Sequence, residues 1–113
     1  MLINTWYVVA DSTDLDSTSP MKVTLLGQTL ALFRNEQGEA QCVSDVCIHR
    51  GGSLAGGKVK NGCIECPYHG WLYNDEGQCT LIPAAGKDKP VPQKARVDRY
   101  PVQEKFGWIW VFV

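Results

Sequence analysis

The sequence predicts an all-β fold made of small antiparallel sheets. Short runs rich in β-branched and aromatic residues alternate with turn-forming residues, with a turn signal about every 8–12 positions. Asn61-Gly62, the strongest short hairpin signal in the chain, lies between two of these runs. No segment has the apolar spacing of an amphipathic helix of convincing length. Together these observations favour a sandwich or a barrel.

The first three strands are predicted at residues 6–10, 22–26 and 29–34. A polar stretch at 11–20 separates the first two, and we expect a solvated loop there rather than an acidic docking patch. Between the second and third strands we expect a type II′ turn at Gly27-Gln28, because glycine suits the first central position of that turn.

Turn residues also set the boundaries of the later strands. Residues 36–39 should turn the chain into a strand at 40–43, and strands at 58–60 and 63–65 should pair around Asn61-Gly62. The remaining predicted elements are strands at 71–73 and 78–80 around a turn at 74–77, an ordered loop at 82–92, and the tail 97–113. The tail ends on an apolar run that predicts a buried strand, with Trp108 and Trp110 in the core.

Length, charge and hydropathy exclude several functional classes. At 113 residues the chain is predicted to form a single domain, 1–113. Its formal net charge of −1 provides no basic surface for nucleic acid or anionic lipid. No apolar run approaches the roughly 20 residues of a membrane span, and no basic residue before Lys22 marks a secretory signal. We therefore expect a cytoplasmic protein with neither a nucleic-acid nor a membrane partner.

Two short segments carry the chemistry of the chain. Cys47-Ile48-His49 and Cys66-Pro67-Tyr68-His69-Gly70-Trp71 each offer one thiolate and one imidazole, and the chain has only two histidines. Glycines follow both pairs, which lets the backbone approach a bound metal closely. The pattern predicts a metal site with four ligands. Two alternatives remain open from the residues alone: a tetrahedral zinc site and a catalytic Cys–His pair.

The other cysteines are predicted to be structural. The chain has five cysteines, an odd number, and no export signal, which argues against a disulfide framework. Cys42, Cys63 and Cys79 fall in or beside predicted strands, and we expect them to be reduced, small core residues.

The two metal-binding segments resemble those of the Rieske [2Fe-2S] family, in which two Cys hold one iron and two His hold the other. The resemblance implies a [2Fe-2S] cluster, one per chain, with Cys47 and Cys66 on one iron and His49 and His69 on the other. It also implies a cluster-binding subdomain at about 43–81.

Other positions refine the resemblance. Respiratory Rieske proteins carry a disulfide between the two cluster loops, and its cysteines would fall here at Gly52 and Tyr68. Because it lacks these two cysteines, the chain resembles the low-potential type found in ring-hydroxylating oxygenases and Rieske-type ferredoxins. The flanking segments are similar to oxygenase large subunits of the vanillate demethylase kind.

The same resemblance suggests residues that surround the cluster. They are Gly51, Tyr68, Trp71 and Tyr73. Tyr73 matches a position from which a hydroxyl reaches a ligand sulfur. Trp71 and Tyr68 are expected either to pack within the loops or to contact a partner.

One-electron transfer is the predicted function, carried out by a soluble ferredoxin-like carrier that supplies an oxygenase. A flavin or ferredoxin reductase would be the donor, and a terminal oxygenase the acceptor. The alternative is the N-terminal Rieske domain of a non-haem iron aromatic-ring oxygenase. A zinc structural module is a more distant alternative.

Overall fold

The structure, a computed structural model, describes residues 5–45, 53–67, 70–82 and 96–113. Its strands are β1 Trp6–Asp11, β2 Met21–Leu25, β3 Gln28–Arg34, β4 Ala40–Ser44, β5 Lys58–Lys60, β6 Cys63–Glu65, β7 Leu72–Tyr73, β8 Cys79–Leu81, β9 Arg99–Tyr100, β10 Val102–Lys105 and β11 Trp108–Phe112. Two 3-10 turns, Ser12–Asp14 and Leu54–Gly56, are the only helical elements in these described ranges, and neither is long enough to cross a membrane. The all-β prediction is confirmed.

The strands form three antiparallel sheets, and the second lies between the other two. The first sheet has the order β1-β11-β10, the second β2-β3-β4-β9 and the third β5-β6-β7-β8. In β3, Leu30 and Leu32 pack with residues of the first sheet, whereas Ala31 and Phe33 pack with residues of the third. A strand buried on both faces needs no polar alternation. This explains the uninterrupted apolar run in β3.

The first hairpin turn differs from the sequence prediction. Leu25 pairs with Gln28, so the two turn residues are Leu26 and Gly27, with φ of +51° and +79°. Positive φ at both positions is the type I′ pattern, one residue earlier than the predicted type II′ turn at Gly27-Gln28. A shift of one residue would turn every side chain of a strand to the opposite face. Burial of β3 therefore decides the register, and Leu26 adopts the left-handed conformation.

The Asn61-Gly62 hairpin is confirmed. The two residues have φ of +52° and +75°, and they join β5 to β6 in the predicted register. A Cβ atom on Gly62 would lie 2.6 Å from the backbone nitrogen of Glu36. Gly62 therefore serves both the turn and the close approach of the third sheet to the turn after β3.

The prediction of a buried final strand is only partly right. Ile109 and Val111 are fully buried, but Trp108 is 45% exposed and Trp110 is half-buried. The second sheet covers one face of β11, so alternate residues remain on the outer face. On that outer side Trp6 and Phe112 meet edge to face, with ring centroids 5.4 Å apart.

Two acidic residues, Asp11 at the end of β1 and Asp16 in the loop that follows, are used in local turns. Asp11 accepts hydrogen bonds from the backbone N–H and the hydroxyl of Thr13. Asp16 does the same for Thr18 and also accepts from the N–H of Ser19. Hydrogen bonds from Thr13 and Thr18 lower the pKa of these two carboxyl groups. Their arrangement agrees with the interpretation of a solvated loop.

Arg34 connects the second sheet to the first. Its guanidinium donates to the carbonyls of Leu15, Ser12 and Gly38 and forms a two-point ion pair with Glu104 at 2.7 and 3.1 Å. The Arg34 side chain is only 15% exposed. Planar two-point pairs of this kind fix geometry as well as charge.

We expect Arg34→Ala to lower the free energy of unfolding by about 2–3 kcal/mol, because it leaves several half-buried acceptors unpaired.

The hydrogen bond from Arg34 lowers the pKa of Glu104 from its ordinary value of 4.5. The stabilisation from this shift is therefore complete above pH 4.5 and lost as the pH falls through the lower, folded-state pKa. Urea denaturation at several pH values measures both effects. If the free energy of unfolding falls equally with decreasing pH in wild type and Glu104→Gln, the predicted pH dependence from Glu104 is contradicted.

Candidate metal centre

The second predicted cluster segment lies between β6 and β7 and is closed by backbone hydrogen bonds. The N–H of Cys66 donates to the carbonyl of Trp71 at 2.8 Å, and the N–H of Gly70 donates to the carbonyl of Cys66 at 3.1 Å. Gly70 has a φ of +71°, which glycine adopts at little steric cost. The loop therefore begins and ends at fixed positions, with Cys66 at its start.

Cys66 is the one predicted ligand that lies within the described residues. It is 2% exposed and belongs to the core between the second and third sheets. A thiol at a strand end, in a glycine-containing loop and shielded from water, fits a ligand of an iron–sulfur cluster. Cys47, His49 and His69 lie outside the described residues, and so do Gly51, Gly52 and Tyr68. The four-ligand assignment remains a prediction.

The other cysteines differ from Cys66 in position. Cys42 and Cys79 are buried within strands, Cys63 is half-buried, and all three are reduced, as predicted. Burial raises the pKa of Cys42 to about 12, and burial also raises the pKa of Cys63. Neither Cys42 nor Cys63 is part of one of the two Cys/His pairs, so neither is assigned to the metal site. The prediction of core positions is correct for Cys42 and Cys79 and wrong for Cys63.

The first predicted cluster segment is held at both ends by a residue that the sequence analysis missed. Asp45 directly follows β4, and its side chain is 1% exposed. Its carboxylate accepts hydrogen bonds from the hydroxyl of Ser53 at 2.8 Å and from the N–H of Ala55 at 2.6 Å. The sequence signal that could have indicated Asp45 was the position of an acidic residue between an apolar strand and Cys47. Its partners, eight and ten residues later, could not be read from the sequence.

The bases of the two segments pack against each other. The 3-10 turn Leu54–Gly56 follows the first segment, and Gly57 closes it by donating from its N–H to the carbonyl of Leu54. A Cβ atom on Gly57 would lie 1.8 Å from the carbonyl oxygen of Glu65 and 3.2 Å from Cδ of Pro67. The backbone after the first segment therefore touches the strand that leads directly into Cys66.

Two of the residues predicted to surround the cluster are described. Tyr73 is fully buried, which excludes a hydroxyl in bulk water. Trp71 is half-buried and packs against the same core, which supports loop packing. The predicted hydrogen bond from Tyr73 to a ligand sulfur stays a prediction. Among the described residues, no three His, Cys, Asp or Glu side chains form a group that could hold a metal ion.

Comparison with known proteins decides the family. Residues 5–101 match the Rieske [2Fe-2S] domain family. The chain belongs to this family. A Rieske [2Fe-2S] cluster is accordingly its cofactor.

Similar proteins are components of oxygenases. The chain is 37% identical to aminopyrrolnitrin oxygenase PrnD of Pseudomonas fluorescens, over 98% of this chain and 31% of that protein. It is 38% identical to the oxygenase subunit of 3-chlorobenzoate-3,4-dioxygenase of Comamonas testosteroni, over 96% of this chain and 25% of that protein. The solved structure of NdmA from Pseudomonas putida CBB5 superposes with a TM-score of 0.89 at 36% identity, over 96% of this chain and 34% of that one. The chain thus spans about a third or less of the length of these relatives.

Proposed function

We propose that this chain is the electron-receiving Rieske domain of a non-haem iron oxygenase. The supporting observation is the match over nearly the whole chain to oxygenase components about three to four times as long. The comparisons favour this alternative over a free ferredoxin-like carrier. They also make a zinc structural module a poor explanation of the two Cys/His pairs, since the family holds iron and sulfide there.

Within this proposal, Cys47 and Cys66 hold one iron and His49 and His69 hold the other. The bound cluster supplies a centre that takes up and releases one electron at a time. The contribution of the chain is to hold the thiolates and imidazoles at fixed positions and to exclude water from the sulfur end. Burial of Cys66 and Tyr73 in one core supports that role.

The proposed donor is a flavin or ferredoxin reductase, and the proposed acceptor is the terminal iron of the oxygenase. The imidazoles are neutral ligands, so they leave their iron less negative than thiolates would and raise the reduction potential. A surface position for the histidine end would bring the cluster edge close to both partners.

The cofactor is tested directly by metal analysis. We expect the purified chain to be coloured and to contain two irons and two acid-labile sulfides, because two Cys and two His complete a Rieske site. One zinc with no sulfide would overturn the assignment.

The oxygenase-domain proposal needs a second measurement. We expect the isolated chain, with reductant and oxygen, to convert no aromatic substrate, because both of its histidines are assigned to the cluster. The source reading frame on either side of the chain separates the two functions. A mononuclear-iron motif of two His and a carboxylate in the same frame supports the oxygenase domain. A stop codon directly after Val113 together with a separate oxygenase gene supports the carrier.

Tyr73→Phe should lower the reduction potential of the cluster. We expect the Tyr73 hydroxyl to donate to a ligand sulfur, that of Cys47. Such a bond withdraws negative charge from the sulfur and so stabilises the reduced state. If the lost bond contributes about 1–1.5 kcal/mol, the potential falls by about 45–65 mV. Spectroelectrochemical titration measures the shift.

Tyr100→Phe is the matched control, since the Tyr100 hydroxyl is hydrogen-bonded to Oε1 of Gln28 in the second sheet. Its potential should equal that of wild type. An unchanged potential in Tyr73→Phe would show that the Tyr73 hydroxyl donates elsewhere in the core.

A further inference from the structure

Asp45 connects both ends of the first predicted cluster segment to the second sheet. Its backbone N–H donates to the carbonyl of Thr29 at 3.0 Å, which fixes it beside β3. Its two carboxylate oxygens accept from Ser53 and Ala55, the residues that follow the segment 46–52. One side chain thus joins the residue that precedes the segment to two residues that follow it, at the start of the 3-10 turn Leu54–Gly56.

The burial of Asp45 makes these hydrogen bonds costly to lose. A carboxylate that is 1% exposed is stable only when its oxygens have partners. Within the part of the chain that the structure describes, Asp45 forms one ion pair, in which its carboxylate lies 3.9 Å from Nζ of Lys22, on a side chain that is 58% exposed. Because the Lys22 side chain is exposed to water and lies near the limit of ion-pair distance, this pair contributes little. Among the described residues, the hydroxyl of Ser53 and the N–H of Ala55 are therefore the hydrogen-bond donors that hold the carboxylate.

We propose that Asp45 is a positioning residue for Cys47 and His49, acting through Ser53 and Ala55. The inference rests on the proposed function, which assigns those two residues as ligands. By fixing the separation of the two ends of the segment, the carboxylate restricts the backbone that carries both ligands. Loss of this restraint raises the frequency of local opening and lets the ligands leave the iron more often.

Iron release to an excess of chelator is the first measurement. We expect Asp45→Ala to release iron about tenfold faster than wild type or more, because it removes two hydrogen bonds to a charged acceptor. Ser53→Ala removes one bond and should accelerate release by a smaller factor. Lys22→Met, which leaves both bonds in place, should release iron at the wild-type rate.

Hydrogen exchange of the Ala55 amide tests the contact itself. We expect exchange about tenfold faster in Asp45→Ala, while amides in β3 stay unchanged. The EPR spectrum of the reduced cluster in the same variant should broaden, since its ligands would then occupy a range of geometries.

Arg34→Ala is the control for general destabilisation. Arg34 pairs with Ala40, at the end of β3 opposite Thr29, and its own partners lie towards the first sheet. It should lower global stability without changing iron release or the EPR spectrum. Equal iron release in Asp45→Ala and wild type, or equal acceleration in Asp45→Ala and Arg34→Ala, would refute the positioning role. A wild-type chain without iron and sulfide would instead refute the ligand assignment on which it rests, whereas Ala55 exchange would still report on the contact.

Discussion

Cys66→Ser should yield a colourless protein without iron or sulfide. On the proposed ligand assignment the substitution removes one of two thiolates, and the hydroxyl that replaces it is not ionised at neutral pH. Loss of a group that merely supports a metal ligand already costs about 10–100-fold in metal affinity, so loss of the ligand itself should exceed that range. Because cluster binding also contributes to folding free energy, the denaturation midpoint should fall in parallel. Iron and sulfide analysis with urea denaturation measures both.

Cys63→Ser provides the matched control. Cys63 lies three positions earlier, on β6 of the same hairpin, and is a half-buried free thiol. It belongs to neither Cys/His pair, and it precedes the loop that begins at Cys66. We expect full cluster content in this variant. A colourless Cys63→Ser protein beside a coloured Cys66→Ser protein would reverse the ligand assignment.

The hairpins show how far local chemistry predicts the fold. Asn61-Gly62 was placed correctly because both turn positions have left-handed φ, which Asn and Gly adopt readily. The Leu26-Gly27 turn was placed one residue late, because its first position holds a leucine with φ of +51°. There the tertiary burial of β3 outweighs the preference of the turn residues. No local signal could have revealed this.

The cluster segments were visible in the sequence, whereas their supports were not. Cys66 was proposed as a ligand from the motif alone, and this stays a prediction with which its burial is compatible. The contact from Asp45 to Ala55 and the close approach of Gly57 to Glu65 both depend on how separate segments pack. Asp and Gly are common in surface turns, so neither residue type by itself indicates such a contact.

Gly57→Ala should disrupt the site from outside the ligand set. The φ of Gly57 is −92°, so the effect does not come from left-handed backbone. It comes from a steric clash, because the new Cβ would lie 1.8 Å from the carbonyl oxygen of Glu65. Since that oxygen belongs to the backbone, the backbone itself must move. Glu65 is the last residue of β6 and directly precedes Cys66. We expect the free energy of unfolding to fall by about 3 kcal/mol or more, with iron content reduced at the same time.

Gly56→Ala, at the neighbouring position, separates this contact from the general effect of adding a methyl group. A Cβ atom there meets only Cγ of Pro67 at 3.8 Å, an ordinary van der Waals distance. Its stability should stay within about 0.5 kcal/mol of wild type, as for most substitutions away from tight contacts, and its iron content should be unchanged. Urea denaturation and iron analysis of the two variants side by side make the comparison. Equal behaviour of Gly56→Ala and Gly57→Ala would show that the approach of Gly57 to Glu65 does not control the position of Cys66.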